Sequence, residues 1–424
     1  MRNTFLAFIC LICLQNGWSQ QLASLSLSTA YEKATASYPL LGNQLLLQQQ
    51  TDLRVQHMDQ SRQPSIYWKA DGTLQSETVQ FPGDGMVPIE IDLPLYNLKT
   101  YAEAQYLIYD GGMNRARQDL EKLQLAADQQ ALQVELYPLR EQVNRFFFSI
   151  LLLREQVKIL DVTLKDLSEK KLTLEAGVRH GVLLESEVDK LAVRQLEMEA
   201  EREQAQNDIA ASLSMLQKLT ATDLSNDVEL VLPNMDGFQL NQPLRRPEQE
   251  LFRLKNQALL GTEKLIKTNL QPKLSAFARA GIGYPNPLNF FDNSISPYAM
   301  GGISFSWNLF DWGKESLERE LLAVQSQLIG NQQETFEFNL SLLEGRYRED
   351  IASIRDQIER DREISILQNK ILKQLSSQLE NGVITVNDYL TQLNAELQSR
   401  QKLQLHELQL VEVKVDYLTK WGAL

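Results

Sequence analysis

The chain is nearly without cysteine and histidine. Its two cysteines, Cys10 and Cys13, sit in the first apolar run, and its three histidines, His57, His180 and His406, are far apart. No disulfide framework and no cluster with metal-ligand spacing can be built from such a set. Long apolar runs are missing too: the strongest internal one, Phe146 to Leu153, is closed by Arg145 and Arg154, well short of the roughly 20 residues a membrane helix needs. Positive charge is in deficit, with 42 Lys and Arg against 55 Asp and Glu and a net charge of −13, which excludes the basic footprint of a nucleic-acid binder. No phosphate loop or nucleophile motif occurs, because "GIG" at Gly281 to Gly283 is followed by no helix start. The expectation is a protein that is no enzyme and has no cofactor, no metal site and no nucleic-acid partner.

What is present begins with "MRNTFLAFICLICLQNGWSQ": one Arg, an apolar stretch from Phe5 to Leu14, then Gly17 and Ser19. This is the pattern of a signal peptide over residues 1–20, with the mature chain starting near Gln20 or Gln21. Both cysteines then leave with the leader. An exported chain lacking a membrane helix crosses a membrane only with strands.

The chain also repeats itself. Asp110 and Gly112 stand 201 residues before Asp311 and Gly313, and the same spacing pairs Gly181-Val182-Leu183 with Gly382-Val383-Ile384. Upstream the spacing becomes 208, pairing Tyr38-Pro39 with Arg246-Pro247 and Pro64 with Pro272. The difference falls near the Gly- and Pro-rich "FPGDGMVP", Phe81 to Pro88. The organisation expected is a first repeat over 21–222, a connecting segment over 223–245 rich in Asp, Asn and Pro, and a second repeat over 246–424.

Within a repeat, apolar residues at Leu136, Leu139, Val143, Phe146, Ile150, Leu153, Val157, Leu160, Leu164 and Leu167 alternate spacings of three and four. This is the seam of helices packed lengthwise. The first long helix, Met113 to Val178, contains only Pro138, which kinks it; the second, Lys314 to Leu379, has no proline. Each is roughly 100 Å long at 1.5 Å per residue. Each ends at a Gly, and a second helix returns over Glu185 to Leu219 or Val386 to Trp421, giving two long hairpins.

Before each Asp-x-Gly lie two strand-like segments: "SIYWKADGTLQSE" and "TYAEAQYLIY", then "KLSAFARAGIGY" and "YAMGGISFSWNLF". They alternate apolar with small or polar residues over about ten positions, as barrel strands do, and Tyr67, Trp68, Tyr101, Tyr106 and Tyr109 are available for membrane interfaces. A soluble antiparallel sheet shows the same alternation. In lipid, four strands leave open edges, so closure has to come from further copies of the chain.

The tandem repeat, the Tyr-Asp-Gly-Gly and Phe-Asp-Trp-Gly strand exits, the paired prolines and the "GVL" and "GVI" turns together resemble the TolC-like outer-membrane efflux factors. The resemblance covers essentially the whole mature chain. It implies a fold of α plus membrane β-barrel: four strands per chain in a trimeric twelve-stranded barrel continuous with a periplasmic α-helical barrel. It further implies a homotrimer in outer-membrane lipid, docking on a periplasmic adaptor and an inner-membrane efflux pump. An exit duct for type I protein secretion, and an exported coiled-coil scaffold without a pore, remain as alternatives.

The resemblance also assigns sites. Gly181, Val182, Leu183, Gly382, Val383 and Ile384 form the turns that dock the adaptor. Asp388, and Glu187 at the matching place, form the acidic pore aperture; the competing role for Asp388 is a helix cap with Thr385. Ile384 stands where better-known relatives carry a basic residue, so a gating salt bridge is not expected there. Asp110 and Gly112, and Asp311 and Gly313, are strand-to-helix joints in which Asp caps the new helix.

Overall fold

A computed structural model describes residues 22–78, 94–289 and 292–424. The expected leader, both cysteines and the Phe81 to Pro88 segment lie outside the described residues. Among the described residues sixteen elements follow one another, and they gather into two compact units that cut across the repeats, each drawing on both.

The first unit holds residues 42–135 and 247–337. Its sheet has strands β2 (Ser65–Leu74), β3 (Tyr96–Tyr109), β5 (Lys273–Tyr284) and β6 (Ser296–Ser306), in the order β2-β3-β5-β6. Every neighbouring pair is antiparallel. The unit also holds α2 (Asn43–Gln60), α3 (Met113–Leu136), α6 (Pro247–Lys267) and the first part of α7 (Lys314–Glu380). Gly261 of α6 lets that helix close on α3, since a Cβ there would fall 2.8 Å from Leu123.

The second unit holds the described residues up to 41 together with 136–246 and 338–424. Here α4 (Leu139–Arg179) and α5 (Glu185–Thr220) form one hairpin, and the rest of α7 with α8 (Val386–Trp421) forms the other. Two apolar clusters hold it. One gathers Phe147, Ile150, Leu213 and Leu216 with Tyr31 and Ala34 of α1 (Leu27–Ser37). The other, nearer the turns, gathers Leu160, Leu164, Leu167 and Leu191 with Leu379, Tyr389, Leu393 and Leu397.

Two features differ from expectation. Pro138 does not merely kink the first long helix but divides it: α3 stops at Leu136 and α4 starts at Leu139, because proline has no N–H to give to the previous turn. The segment 223–245 is not only a connection, for it contains β4 (Leu224–Val231), which pairs in parallel with β1 (Leu22–Ser26). Among the described residues no helix is long and apolar enough to cross a membrane.

Candidate functional site

Three features of the fold bear on function, and the first is the sheet itself. Strand register places Ile66, Trp68, Ala70 and Leu74, then Leu98, Ala102 and Ala104, then Ala276, Ala278, Ala280 and Ile282, then Ala299, Ile303 and Phe305 on one face. The opposite face receives every charged strand residue: Lys69, Asp71, Lys99, Glu103, Lys273 and Arg279. Strands of ten to fourteen residues, apolar on one face and charged on the other, have the dimensions and polarity of membrane-spanning strands. Exposed Tyr96 and half-buried Tyr284, 5.5 Å apart by ring centroids, mark one end of the strands; Tyr109, Trp307, Phe310 and Trp312 mark the other. Tyr101 is not among these aromatics. Its ring lies on the charged face, where its hydroxyl donates to Asp71 (2.9 Å). Trp307 lies just beyond β6 and donates its indole N–H to the Leu270 carbonyl (3.0 Å).

The joints are built alike. At the end of β3 the backbone N–H groups of Gly112 and Asn114 donate to the two carboxylate oxygens of Asp110, at 2.9 and 2.8 Å. After β6, Gly313 and Glu315 donate to Asp311 at 3.1 and 2.8 Å. Each Asp thus satisfies amides that a helix start leaves unpaired. In both joints two successive residues have positive φ: Gly111 (71°) and Gly112 (82°), then Trp312 (59°) and Gly313 (79°). At Gly111 only glycine fits, because a Cβ would lie 2.5 Å from that of Gln271. Trp312 adopts the same left-handed conformation while 89% exposed, its ring edge against Phe310.

The hairpin turns form the third feature. Val182 N–H reaches back to the Gly177 carbonyl (3.0 Å) and Val383 N–H to Gln378 (2.9 Å), with Gly181 and Gly382 at φ 74° and 71°. These are Schellman closures, which use glycine for its left-handed conformation. The six turn residues divide by what they face. Leu183 folds back on Gly177, and both Leu183 and Ile384 pack on the apolar cluster, whereas Val182 and Val383 are exposed.

Matched acids behave differently after the turns. The Asp388 carboxylate accepts from the Thr385 N–H (3.1 Å) and hydroxyl (2.7 Å), while Asp388 N–H donates to the Thr385 hydroxyl (3.2 Å). This complete capping box, through the Thr385 hydroxyl and then its amide, holds the Asp388 carboxyl below its ordinary range. Helix α5 follows Leu184, whose side chain supplies no cap. Glu187 bonds Lys190 (2.8 Å) and reaches across to the Val386 N–H (3.3 Å), the first residue of α8. The two turns are therefore tied by a carboxylate that the sequence places three residues from Leu184 and 199 from Val386.

One residue here escaped the sequence reading. Lys170 is buried, its ammonium bonded to Ser376 Oγ (2.6 Å) and Glu380 (2.5 Å) of α7 and lying 5.8 Å from the Tyr389 ring centroid. The signal was available: a lysine interrupts the apolar seam between Leu167 and Leu174.

No protein-family model matches the chain, and no curated protein matches it significantly. Solved structures do. Similar to it are the CmeC outer membrane channel of Campylobacter jejuni (16% identity, TM-score 0.60, covering 93% of this chain and 85% of that one) and VceC of Vibrio cholerae (14%, 0.58, 93% and 96%). The open state of the MtrE outer membrane channel of Neisseria gonorrhoeae is similar too (15%, 0.57, 96% and 91%). The chain thus has the fold of the outer-membrane channels, over nearly its full length.

Proposed function

We propose that the chain is one protomer of a TolC-like efflux duct in the outer membrane. Three copies close their sheets into a twelve-stranded barrel, and their hairpins line a passage through the periplasm. The duct is passive: an inner-membrane pump and a periplasmic adaptor deliver the substrate, a drug or heavy-metal ion, and the duct conducts it to the cell exterior. What carries the reading is the sheet, with all its charge on one face and with β2 and β6 as outer edges. Open edges in lipid leave backbone groups unsatisfied at several kcal/mol each. Copies joined β6 to β2 remove that cost, and twelve strands leave a channel.

Within this reading the exposed Val182 and Val383 meet the adaptor, supported by Gly181 and Gly382, while Leu183 and Ile384 anchor the turns from inside. Asp388 rings the aperture: its capping bonds keep it ionised, so three copies favour cations. Glu187 contributes less to that ring because its carboxylate ties the two turns.

Purification from outer-membrane detergent extracts tests the reading. A trimer that gives discrete channel events in planar bilayers is expected; a monomer without channel activity would return the pore-free scaffold. In cells, Val182→Asp with Val383→Asp should abolish efflux-dependent resistance with trimer levels unchanged, and normal resistance would remove the docking assignment.

A further inference from the structure

The charged face of the sheet carries a cluster to which neither the joints nor the turns give a role. Glu103, midway along β3, is fully buried. Its Oε2 accepts from Lys69 Nζ of β2 (3.1 Å) and Arg279 Nε of β5 (3.0 Å), and the Gln105 amide donates to Oε1. The Arg279 guanidinium also lies 5.1 Å from the Phe277 ring centroid and 5.7 Å from that of Tyr101. Tyr101 lies over Gly281, where a Cβ would be 2.5 Å from its own, and reaches Tyr298 on the far side at 6.3 Å between centroids. Large side chains thus fill a band of three neighbouring rows of this face, the middle row on all four strands with Tyr67, Glu103, Arg279 and Met300. Beyond this band β5 and β6 present small residues in the next row: Gly283 and Ser296 in one direction, Ser275 and Ser304 in the other.

The charges at this level do not cancel. One carboxylate meets two cations, leaving one net positive charge per chain, and Asp71 stands beside Lys99 in the next row, adding nothing. A carboxylate used only to stiffen the sheet needs one cross-strand partner. Here Lys69 and Arg279 remain 40% and 37% exposed by side chain, so both still present charge to the water on that face.

We infer that this level is a second selectivity element of the duct: a narrowed, cationic belt inside the barrel that favours anionic solutes, separate from the turn carboxylates. The inference rests on the trimeric duct reading, in which the charged face lines the lumen. Three chains place three net positive charges around one ring of bulky side chains, where low-dielectric walls focus their field. Glu103 positions the belt: it draws Lys69 and Arg279 to one height and halves the charge they present.

Reversal potentials of single channels under a KCl gradient test this with three variants of the full-length trimer. Lys69→Gln and Arg279→Gln should each lower the chloride-to-potassium permeability ratio by about fourfold, since one unit charge about 10 Å away in water acts about twofold on each ion and in opposite directions. Glu103→Gln should raise it by a similar factor, a change of opposite sign that general loosening of the sheet does not produce. Lys69→Gln leaves Glu103 paired with Arg279, so it keeps the test open if the other variants assemble poorly. Unchanged reversal potentials in intact variant trimers, or a shift of the same sign in all three, would overturn the belt and leave the duct standing. A wild-type trimer without channel events would overturn both.

Discussion

The two hairpins descend from one pattern and are held together by different chemistry. In the first, Leu160 and Leu167 of α4 and Leu191 and Ala205 of α5 are all buried. At the matched places 201 residues later stand Asp361, Gln368, Gln392 and His406. There His406 Nδ1 lies 2.5 Å from Asp361 Oδ2, and the Gln392 amide donates to the Gln368 side chain. Arg362 adds a bond to Glu407 (3.0 Å), and Asn369 one to Glu396 (3.4 Å). Apolar burial is non-directional and tolerates sliding, while paired polar groups fix register at a cost in desolvation. The first hairpin is thus the cohesive one, and the second is specified by particular partners. Surface distribution agrees: α7 buries only Leu340, Ile351, Ile358, Asp361 and Leu379 along 67 residues, whereas α4 buries thirteen of 41. In the proposed trimer the apolar residues left exposed on α7, Ile364, Leu367 and Ile371 among them, would be the surface offered to a neighbouring chain.

Mutations that exchange the two chemistries break or sharpen this contrast. The largest effect is expected from Asp361→Ala, which leaves His406 and Lys402 facing a lost carboxylate and should cost about 3–5 kcal/mol. Asp361→Leu with His406→Ala, which gives the second hairpin the residues of the first, should be neutral or stabilising by about 1–4 kcal/mol. Thermal unfolding followed by the helical circular-dichroism signal measures both, and a double variant as weak as the single one would show that the contrast is not in these pairs. Next comes Leu160→Ala, expected to cost about 2–5 kcal/mol through lost transfer energy and a cavity; a smaller loss would mean that the first hairpin repacks as freely as a loose one.

At the turns, Thr385→Ala should cost about 1 kcal/mol by removing the cap of α8, seen as early fraying in hydrogen exchange at Val386 to Tyr389. The smallest effect is on pH dependence. Asp388 is held below its ordinary carboxyl value of 3.8, so the stability it contributes is complete above about pH 4 and is lost as pH falls through its lowered folded value. The difference in melting temperature between the wild-type protein and Asp388→Asn should shrink as the pH is taken from 5 towards 2; a constant gap would mean that the carboxylate's charge is not what the cap uses.

Much of this was written locally. The alternation over Lys273 to Tyr284 and the returning helix expected over Val386 to Trp421 correspond to β5 and α8 residue for residue. Short β1 and β4 left no such trace: they are partners about 200 residues apart, and β4 lies among Asn and Asp residues that favour turns when read alone. Glu187 shows the same limit at a site. Its place matching Asp388 suggested a shared role at the pore aperture, and only the fold brings it to Val386. Lys170 was visible as a charge in an apolar seam, but its partners Ser376 and Glu380 were not.

The joints carry a consequence for symmetry. Gly111 is pressed by Gln271, the residue before Pro272 in the second repeat; the corresponding residue of the first repeat is Gln63, before Pro64. In the proposed ring of three chains six joints would alternate around the axis, and by the repeat spacing the counterpart facing Trp312 would be Gln63 of the next copy. A tryptophan cannot take the close approach that Gly111 takes, so such a ring would be six-fold only in outline. Its three seams between chains would be spaced more widely than the three within them, a difference that traces to Trp312.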